Sequence, residues 1–493
     1  MNRHIPFNSF RGRFIVSTIL FVPIILIASF GYWNRSPWIS QVNSAPVSET
    51  HSLYLPEILG QYPIKTAFGI MIDPPTSSAG LDQIALSGST WTRLSGLLWS
   101  GIEPVEGSLQ WGNAASLEQQ LVDASAAGLE VILIVRGTPE WAQAEETLGY
   151  SCGPISPSKL GHFASFMFQV VSHYSQPPFN VSYYEIWNEP DVEISVLPNP
   201  DSAYGCWGDP NDEYYGGGYY GEVLKVIYPV VKAANPNAKV IVGGLLLMCS
   251  PHIPGACTSS HPKFLEGILH RNGGNDGGDY FDGVSFHAYD YYFDQLNKYG
   301  NPHWGTAWNN GGPGVTAKAK FIRETLAAYN VNGKFLMNTE GAILCDYCKD
   351  DDEFEATKVN FLVQFYSGAI AEGLSTNIWY SASGWRNSGL LDRKLNPKPA
   401  YQAYTFARET IGAASSAEPV GDGDILNGTG VVGYKFQRWN RQIWVLWSSD
   451  GEEHPISMLP GIPAAIYNPS GIPQEPSQEI TIGPQPLYVV WDQ

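Results

Sequence analysis

The chain has 493 residues, room for two or three domains at about 150 residues each and far more than a disulfide-stapled module needs. Its 28 Lys and Arg stand against 47 Asp and Glu, a formal net charge of −19, so nothing draws in a phosphate backbone and the balance speaks against a nucleic-acid partner. Only 15% of residues are charged and 13% are aromatic, which excludes a disordered chain, a coiled coil or a collagen and leaves a folded, aromatic-rich protein.

At the N-terminus, Arg3, Arg11 and Arg13 precede an uncharged run from Phe14 to Trp33, followed at once by Asn34 and Arg35. Residues 1–35 therefore read as an export segment. About 20 apolar residues suit either a cleaved signal peptide or a membrane anchor, and Ser29 and Gly31 offer a small-x-small cleavage site. Both readings stay open, and both send the body of the protein out of the cytosol, secreted or anchored. An even count of six cysteines in an exported chain favours disulfides. Nearness pairs Cys249 with Cys257 and Cys345 with Cys348, leaving Cys152 for Cys206; a zinc site from the last four is the alternative. The acidic run Asp350 to Glu353 lacks the spacing of a calcium loop and reads as solvated.

Residues 36–62 contain Ser and Pro without periodicity and read as a linker. Beyond it, apolar runs predict strands at Thr66 to Ile72, Trp91 to Leu97, Glu130 to Val135, Ser182 to Trp187, Lys239 to Gly243, Gly283 to Phe286, Phe335 to Asn338 and Thr376 to Tyr380. Helical patterns start near Ser116, Lys159, Gly221, Ala317 and Glu355. Eight alternations with continuous apolar strands imply an α/β fold, a closed TIM (β/α)8 barrel over 63–411, rather than an open sheet. From 412 to 493 short β-type runs separated by Gly, Pro and Asn predict a small C-terminal all-β sandwich packed on the barrel.

In such a barrel the reactive groups sit where strands end. Two carboxylates stand there: Glu189 in YYEIWNEPD after the fourth strand, and Glu340 in KFLMNTEGA after the seventh. Glycosidic bond cleavage needs an acid for the leaving oxygen and a second carboxylate facing the anomeric carbon, and near-opposite strands can supply both.

The order Arg93 in WTRLSGLLWSGIEP, Asn188 and Glu189 in WNEP, His287 and Tyr289 in SFHAYD, then Glu340 in NTEG, resembles clan A of the glycoside hydrolases over residues 64 to 410. The insertion after strand four, the YPVVKAANPNAKVIVGG passage and the C-terminal β domain look most like family 39, with its β-xylosidases and α-L-iduronidases. Family 5 is similar in most of the same positions, but the third strand ends VRGTPEWA and lacks the His expected there. The resemblance implies Glu189 as general acid/base and Glu340 as nucleophile, Arg93 and Tyr289 holding Glu340, Asn188 on the sugar 2-hydroxyl and His287 orienting the network. It implies no metal and no organic cofactor. Trp141, Trp379 and Trp385 fall at or after strand ends, where an aromatic face stacks on a pyranose. Of these Trp379 matches the strand-eight position where the clan often keeps an aromatic, and Trp141 is the second expected platform. Glu103 and Glu185 read as structural, Arg136 and Arg386 are the basic residues able to meet a uronic acid, and the loop from Asp191 to Gly218 is expected to shape the rim. The expected activity is retaining hydrolysis of polysaccharide or oligosaccharide; transglycosylation on the same apparatus and a silent sugar-binding scaffold are the rival readings.

Overall fold

The computed structural model describes residues 66–493, apart from 148, 198, 200–201, 258–261, 271–276, 310–311, 350, 422 and 459. The export segment and the linker lie outside the described residues. Among the described residues, no helix is long and apolar enough to cross a membrane.

Eight strands form the barrel: β1 (Phe68–Ile70), β2 (Trp91–Leu98), β3 (Glu130–Arg136), β4 (Tyr183–Asn188), β5 (Lys239–Leu245), β6 (Gly283–Tyr292), β7 (Phe335–Leu344) and β8 (Thr376–Trp379). All neighbours are parallel in the order β5-β4-β3-β2-β1-β8-β7-β6, and pairing of β5 with β6 closes the ring. The strands are apolar on both sides because both faces are covered. Alternate residues such as Val131, Leu133 and Val135 join the large core that contains the helices. Trp91, Ile132, Ile241, Met337 and Ile378, of the opposite parity, make a separate core inside the ring.

That parity sets the height of the polar layer. Two residues beyond Trp91 on β2 stands Arg93, and two beyond Tyr183 on β4 stands Glu185. Two beyond Gly283 on β6 is Ser285, with His287 two further on. Side chains two apart along a strand share a face, so the apolar floor of the barrel is capped by these polar groups.

Six of the eight strands match expectation to within two residues at each end; β6 and β7 run on to Tyr292 and Leu344. Expectation ends them where polar residues interrupt the apolar run, but the ladder continues through His287↔Glu340 to Tyr291↔Leu344. Polar side chains there face the barrel mouth while the backbone stays paired. The helices Ala115–Ala126, Leu160–Tyr174, Gly217–Ala234, Gly314–Ala328 and Asp352–Ala371 lie where the apolar periodicity places them, and Pro399–Ile411 follows β8. Asp351 caps its helix by accepting from Phe354 N at 2.9 Å, and Asp352, Glu353 and Glu355 occupy the first turn. From Asp351 on, the acidic run is thus a helix start, where carboxylates complement the macrodipole, and not a loop.

After Ile411 the chain turns to antiparallel sheets, one of six strands and one of three. Strand Arg441–Ser448 shows why they stack. Trp444 and Leu446 meet Ile456, Ile480 and Ile482 of the smaller sheet. Ile443, Val445 and Trp447 on the other face join the barrel core. Cys152–Cys206, Cys249–Cys257 and Cys345–Cys348 are disulfide-bonded with Cα separations of 5.6, 5.3 and 5.5 Å, and no free cysteine is left for a zinc site.

Candidate active site

Arg93 is the hub of the polar layer. It is buried, and its guanidinium donates to Glu185, to Glu340 and, at 2.7 Å, to Asn188 Oδ1. Glu185 also accepts from Ser285 Oγ at 3.0 Å. Burial works against the Arg93 charge, but Glu185 and Glu340 outweigh it and hold the group above its ordinary range. Glu340 accepts a further hydrogen bond from Tyr289, so both its oxygens are aimed. Burial and the Glu340 charge raise the Tyr289 phenol, which remains a donor.

Glu189 follows β4 with φ +46 and donates its backbone N–H to Gly244 O at 3.0 Å, which turns its side chain toward the barrel axis. Its Oε1 lies 2.7 Å from His287 Nδ1, and that nitrogen is 3.6 Å from Glu340 Oε2. His287 fits only because β5 has a glycine beside it: a Cβ on Gly244 would fall 2.2 Å from Nε2. Nε2 is buried with no acceptor, which assigns the ring proton to Nδ1 and makes His287 the donor to Glu189. Burial drives the imidazole down to about 4, so the ring is neutral at neutral pH. Burial pushes Glu189 up to about 7, with Arg93 and Lys318 opposing. One oxygen of Glu189, one of Glu340 and a ring nitrogen of His287 lie within 4.8 Å of one another. Such a trio also has cation-ligating chemistry, but the Arg93 guanidinium already sits on Glu340 and its charge repels a divalent ion from the same place.

Among the expected platforms, Trp379 is a correction. It is 0% exposed, its ring packs on Phe361 and Phe365, and its indole donates to Ser388 O at 3.0 Å. Ile378 points inside the barrel, so Trp379 must point out to the helices and Tyr380 back in. Tyr380 lies edge-on to Tyr289 at 6.1 Å, and Trp385, 48% exposed, completes the group at 5.8 Å from Tyr289. These two line a cleft of about 510 Å³ with Asp73, Asp392 and Arg393. Trp141 bonds Glu103 O at 2.9 Å and packs on Trp99, His162 and Lys159 rather than on the carboxylates.

The loop from Asp191 covers Asn188: Gly205 N donates to Asn188 O at 3.0 Å and Asn188 Nδ2 to Ala203 O at 3.3 Å, with Cys206 tied to Cys152. Glu189 also raises Tyr204 in that loop, after burial. Arg386 is paired with Asp346 through Nη2 at 2.6 Å, while Arg136 ends β3 near Arg93, lowered to about 10 by burial and by that neighbour.

Lys318 is the buried charge beside the site that the motifs do not point to. From the helix Gly314–Ala328 its ammonium donates to Leu246 O at 2.6 Å and His287 O at 2.7 Å, tying the residue after β5 to β6. Burial lowers it to about 8 against the pull of Asp191, Asp290 and Glu189. Asp191 accepts from Leu246 N and Leu247 N at 2.9 and 2.8 Å, and burial raises it to about 6. The signal for Lys318 is a lysine on the same helical stripe as the buried Val315, Ile322 and Leu326.

No family model matches the chain, and no curated protein matches it in sequence. Solved structures do. A family 39 glycoside hydrolase from Bacteroides cellulosilyticus WH2 superposes with a TM-score of 0.61 at 18% identity, covering 86% of this chain and 81% of that one. The chain shares its fold. A family 30 subfamily 8 xylanase from Clostridium acetobutylicum gives 0.57 at 14% identity over 87% and 96%. A family 39 β-xylosidase from Caulobacter crescentus gives 0.50 at 15% over 88% and 97%. The barrel with a C-terminal β domain that the sequence predicts is the fold these solved structures share.

Proposed function

We propose that the chain is a retaining glycoside hydrolase that cleaves β-linked sugars by double displacement. The observation that carries this reading is the closeness of the two carboxylates, with oxygens of Glu189 and Glu340 inside 4.8 Å. Retaining enzymes hold the pair about 5–5.5 Å apart so that one attacks directly, whereas inverting enzymes leave about 6.5–9.5 Å for a water.

Glu189, protonated up to about pH 7, is the acid. His287 occupies one of its oxygens and leaves the other to protonate the leaving group. Glu340, aimed by Arg93 and Tyr289, attacks the anomeric carbon and forms the glycosyl-enzyme. Glu189, then ionised, takes a proton from water for the second step. Asn188 has one amide hydrogen on Ala203 O and the other for the sugar 2-hydroxyl. Tyr380 and Trp385 replace Trp379 as the aromatic wall. The catalytic unit is 63–411, with 412–493 packed on it. Three disulfides and the basic-then-apolar N-terminus support work outside the cytosol. Neighbours named as xylanase and β-xylosidase put xylan and xylosides first among substrates.

The test is a panel of aryl β-glycosides with xylan, mannan, arabinan and β-glucan, run with wild type, Glu189→Ala and Glu340→Ala. Turnover by wild type that both substitutions abolish on the polymers supports the assignment. Polysaccharide binding without turnover, unchanged by both substitutions, would make the chain a sugar-binding scaffold.

A further inference from the structure

A second hollow, of about 330 Å³, lies between the helix Pro399–Ile411 and the six-stranded sheet, lined by Glu409, Arg438, Trp439, Arg441, Tyr467 and Asp492. Helices of a (β/α)8 barrel run back along the strands, so Glu409, in the last turn of its helix, marks the end of the barrel opposite the catalytic mouth.

Trp439 stands out on this wall. It is the first residue of the two-residue turn joining Val431–Arg438 to Arg441–Ser448, since Arg438 pairs with Arg441. Its φ is +52, a left-handed conformation unfavourable for a residue with a Cβ and one that such turns fill with Asn, Asp or Gly. The indole is 69% exposed, so burial does not offset that cost. It is nonetheless held: the Arg438 guanidinium lies 4.5 Å from its ring centroid, and Arg438 Nη1 is anchored on Thr410 O at 3.1 Å. The fold thus fixes a flat apolar ring in water beside hydrogen-bonding groups at the hollow. Arg441 and Asp492 are paired at 3.0 Å and both more than half exposed. Two cations, Arg438 and Arg441, balance two carboxylates, Glu409 and Asp492, so the wall carries both donors and acceptors with no net charge.

We infer that this hollow is a glycan-binding site separate from the catalytic centre, taking one neutral pyranose of a polysaccharide chain stacked on Trp439. A pyranose offers an apolar CH face for the indole and an equatorial rim of vicinal hydroxyls, which pair bidentately with carboxylate and guanidinium. An anionic ligand would meet Glu409 and Asp492, and an apolar peptide would cover four charged groups with surface that offers them no hydrogen bonds. The site needs glycans nearby but does not need the chain to be a hydrolase.

The test is depletion by insoluble xylan, mannan, arabinan, β-glucan and cellulose, using wild type, Trp439→Ala, Trp439→Phe and the Glu189→Ala/Glu340→Ala double variant. At least one polymer retains wild type and the double variant alike. Trp439→Ala weakens that retention about tenfold or more, Trp439→Phe less, and hydrolysis of a soluble aryl glycoside is the same for Trp439→Ala as for wild type. Equal retention of Trp439→Ala and wild type, or no retention of wild type by any polymer, overturns the proposal. Retention without hydrolysis would leave it standing while refuting the hydrolase reading, so the two fail separately.

Discussion

Burial around Glu189 keeps its carboxyl protonated up to near neutral pH, as the proposed acid role requires, and the consequence is measurable with a single pair of substrates. Raised from 4.5 to about 7, the group favours its protonated form by about 3 kcal/mol more than a solvated Glu does. At pH 7 about half the molecules carry the proton, against roughly one in three hundred for an unshifted group. The assay is kcat/KM from pH 4 to 9 for a phenyl glycoside and for its dinitrophenyl counterpart. A phenoxide leaving group needs the proton, so its rate falls about tenfold per pH unit above 7. Dinitrophenolate leaves unaided, and its profile stays flat across the same window. Glu189→Gln slows the phenyl substrate about a hundredfold or more while sparing the first step on the dinitrophenyl one. Lys318 adds the decisive sign: its ammonium favours ionised Glu189, so Lys318→Met moves the alkaline limb to higher pH. A limb near 4.5 for the phenyl substrate, the same limb for both substrates, or a downward shift in Lys318→Met would refute a buried Glu189 acid.

Removing Arg93 strips two buried carboxylates of their partner, so Arg93→Ala should lose about 3–5 kcal/mol in denaturant unfolding together with turnover, and Arg93→Lys cannot serve Glu185, Glu340 and Asn188 at once. Trp385→Ala should raise KM about tenfold with little change in Tm, whereas Trp379→Ala should cost about 3–5 kcal/mol of stability and, where folded, leave KM in place. The contribution of Asp191 to stability should fall as pH rises from about 4 to 6. Asp191 is held at about 6 instead of 3.8, so the folded state keeps a proton that the unfolded chain has released, a contribution present below the unfolded value and lost through the folded one, about 3 kcal/mol from this group. Asp191→Asn should remove that contribution, so that unfolding midpoints measured at successive pH values fall less, or rise more, from pH 4 to 6 than those of wild type.

All eight barrel strands are legible as apolar runs because a parallel barrel buries both strand faces, and a short continuous apolar segment recurring between amphipathic helices fits few folds besides a covered parallel sheet. The gathering of Asn188, Glu189, His287, Tyr289 and Glu340 is legible because each follows the apolar stretch of its strand, where the topology leaves only one mouth to share, while Arg93 stands inside β2 and joins them through its length. Parity is what the motifs leave unmarked. Trp379 is one residue out of phase with the expected platform, and a single step along β8 moves a side chain from the barrel mouth to the helix layer. Glu185 reads as structural from its place inside β4. The signal for its role is a carboxylate on the same face as Tyr183, at the height of Arg93 on β2, since a buried carboxylate requires a partner. Tyr380 and Trp385 reach the site through a loop, and loop geometry has no period to read. The disulfides follow from nearness along the chain for two pairs and from the remainder for Cys152–Cys206.

The central claim is that Glu340 forms a covalent bond to the sugar. Incubation with a 2-deoxy-2-fluoro glycoside of whichever sugar the panel selects, followed by peptide mass analysis, tests it most directly. The expected result is a single glycosyl adduct on the peptide carrying Glu340 and a product of retained anomeric configuration; an adduct on another residue, or hydrolysis with inversion and no adduct, would contradict it.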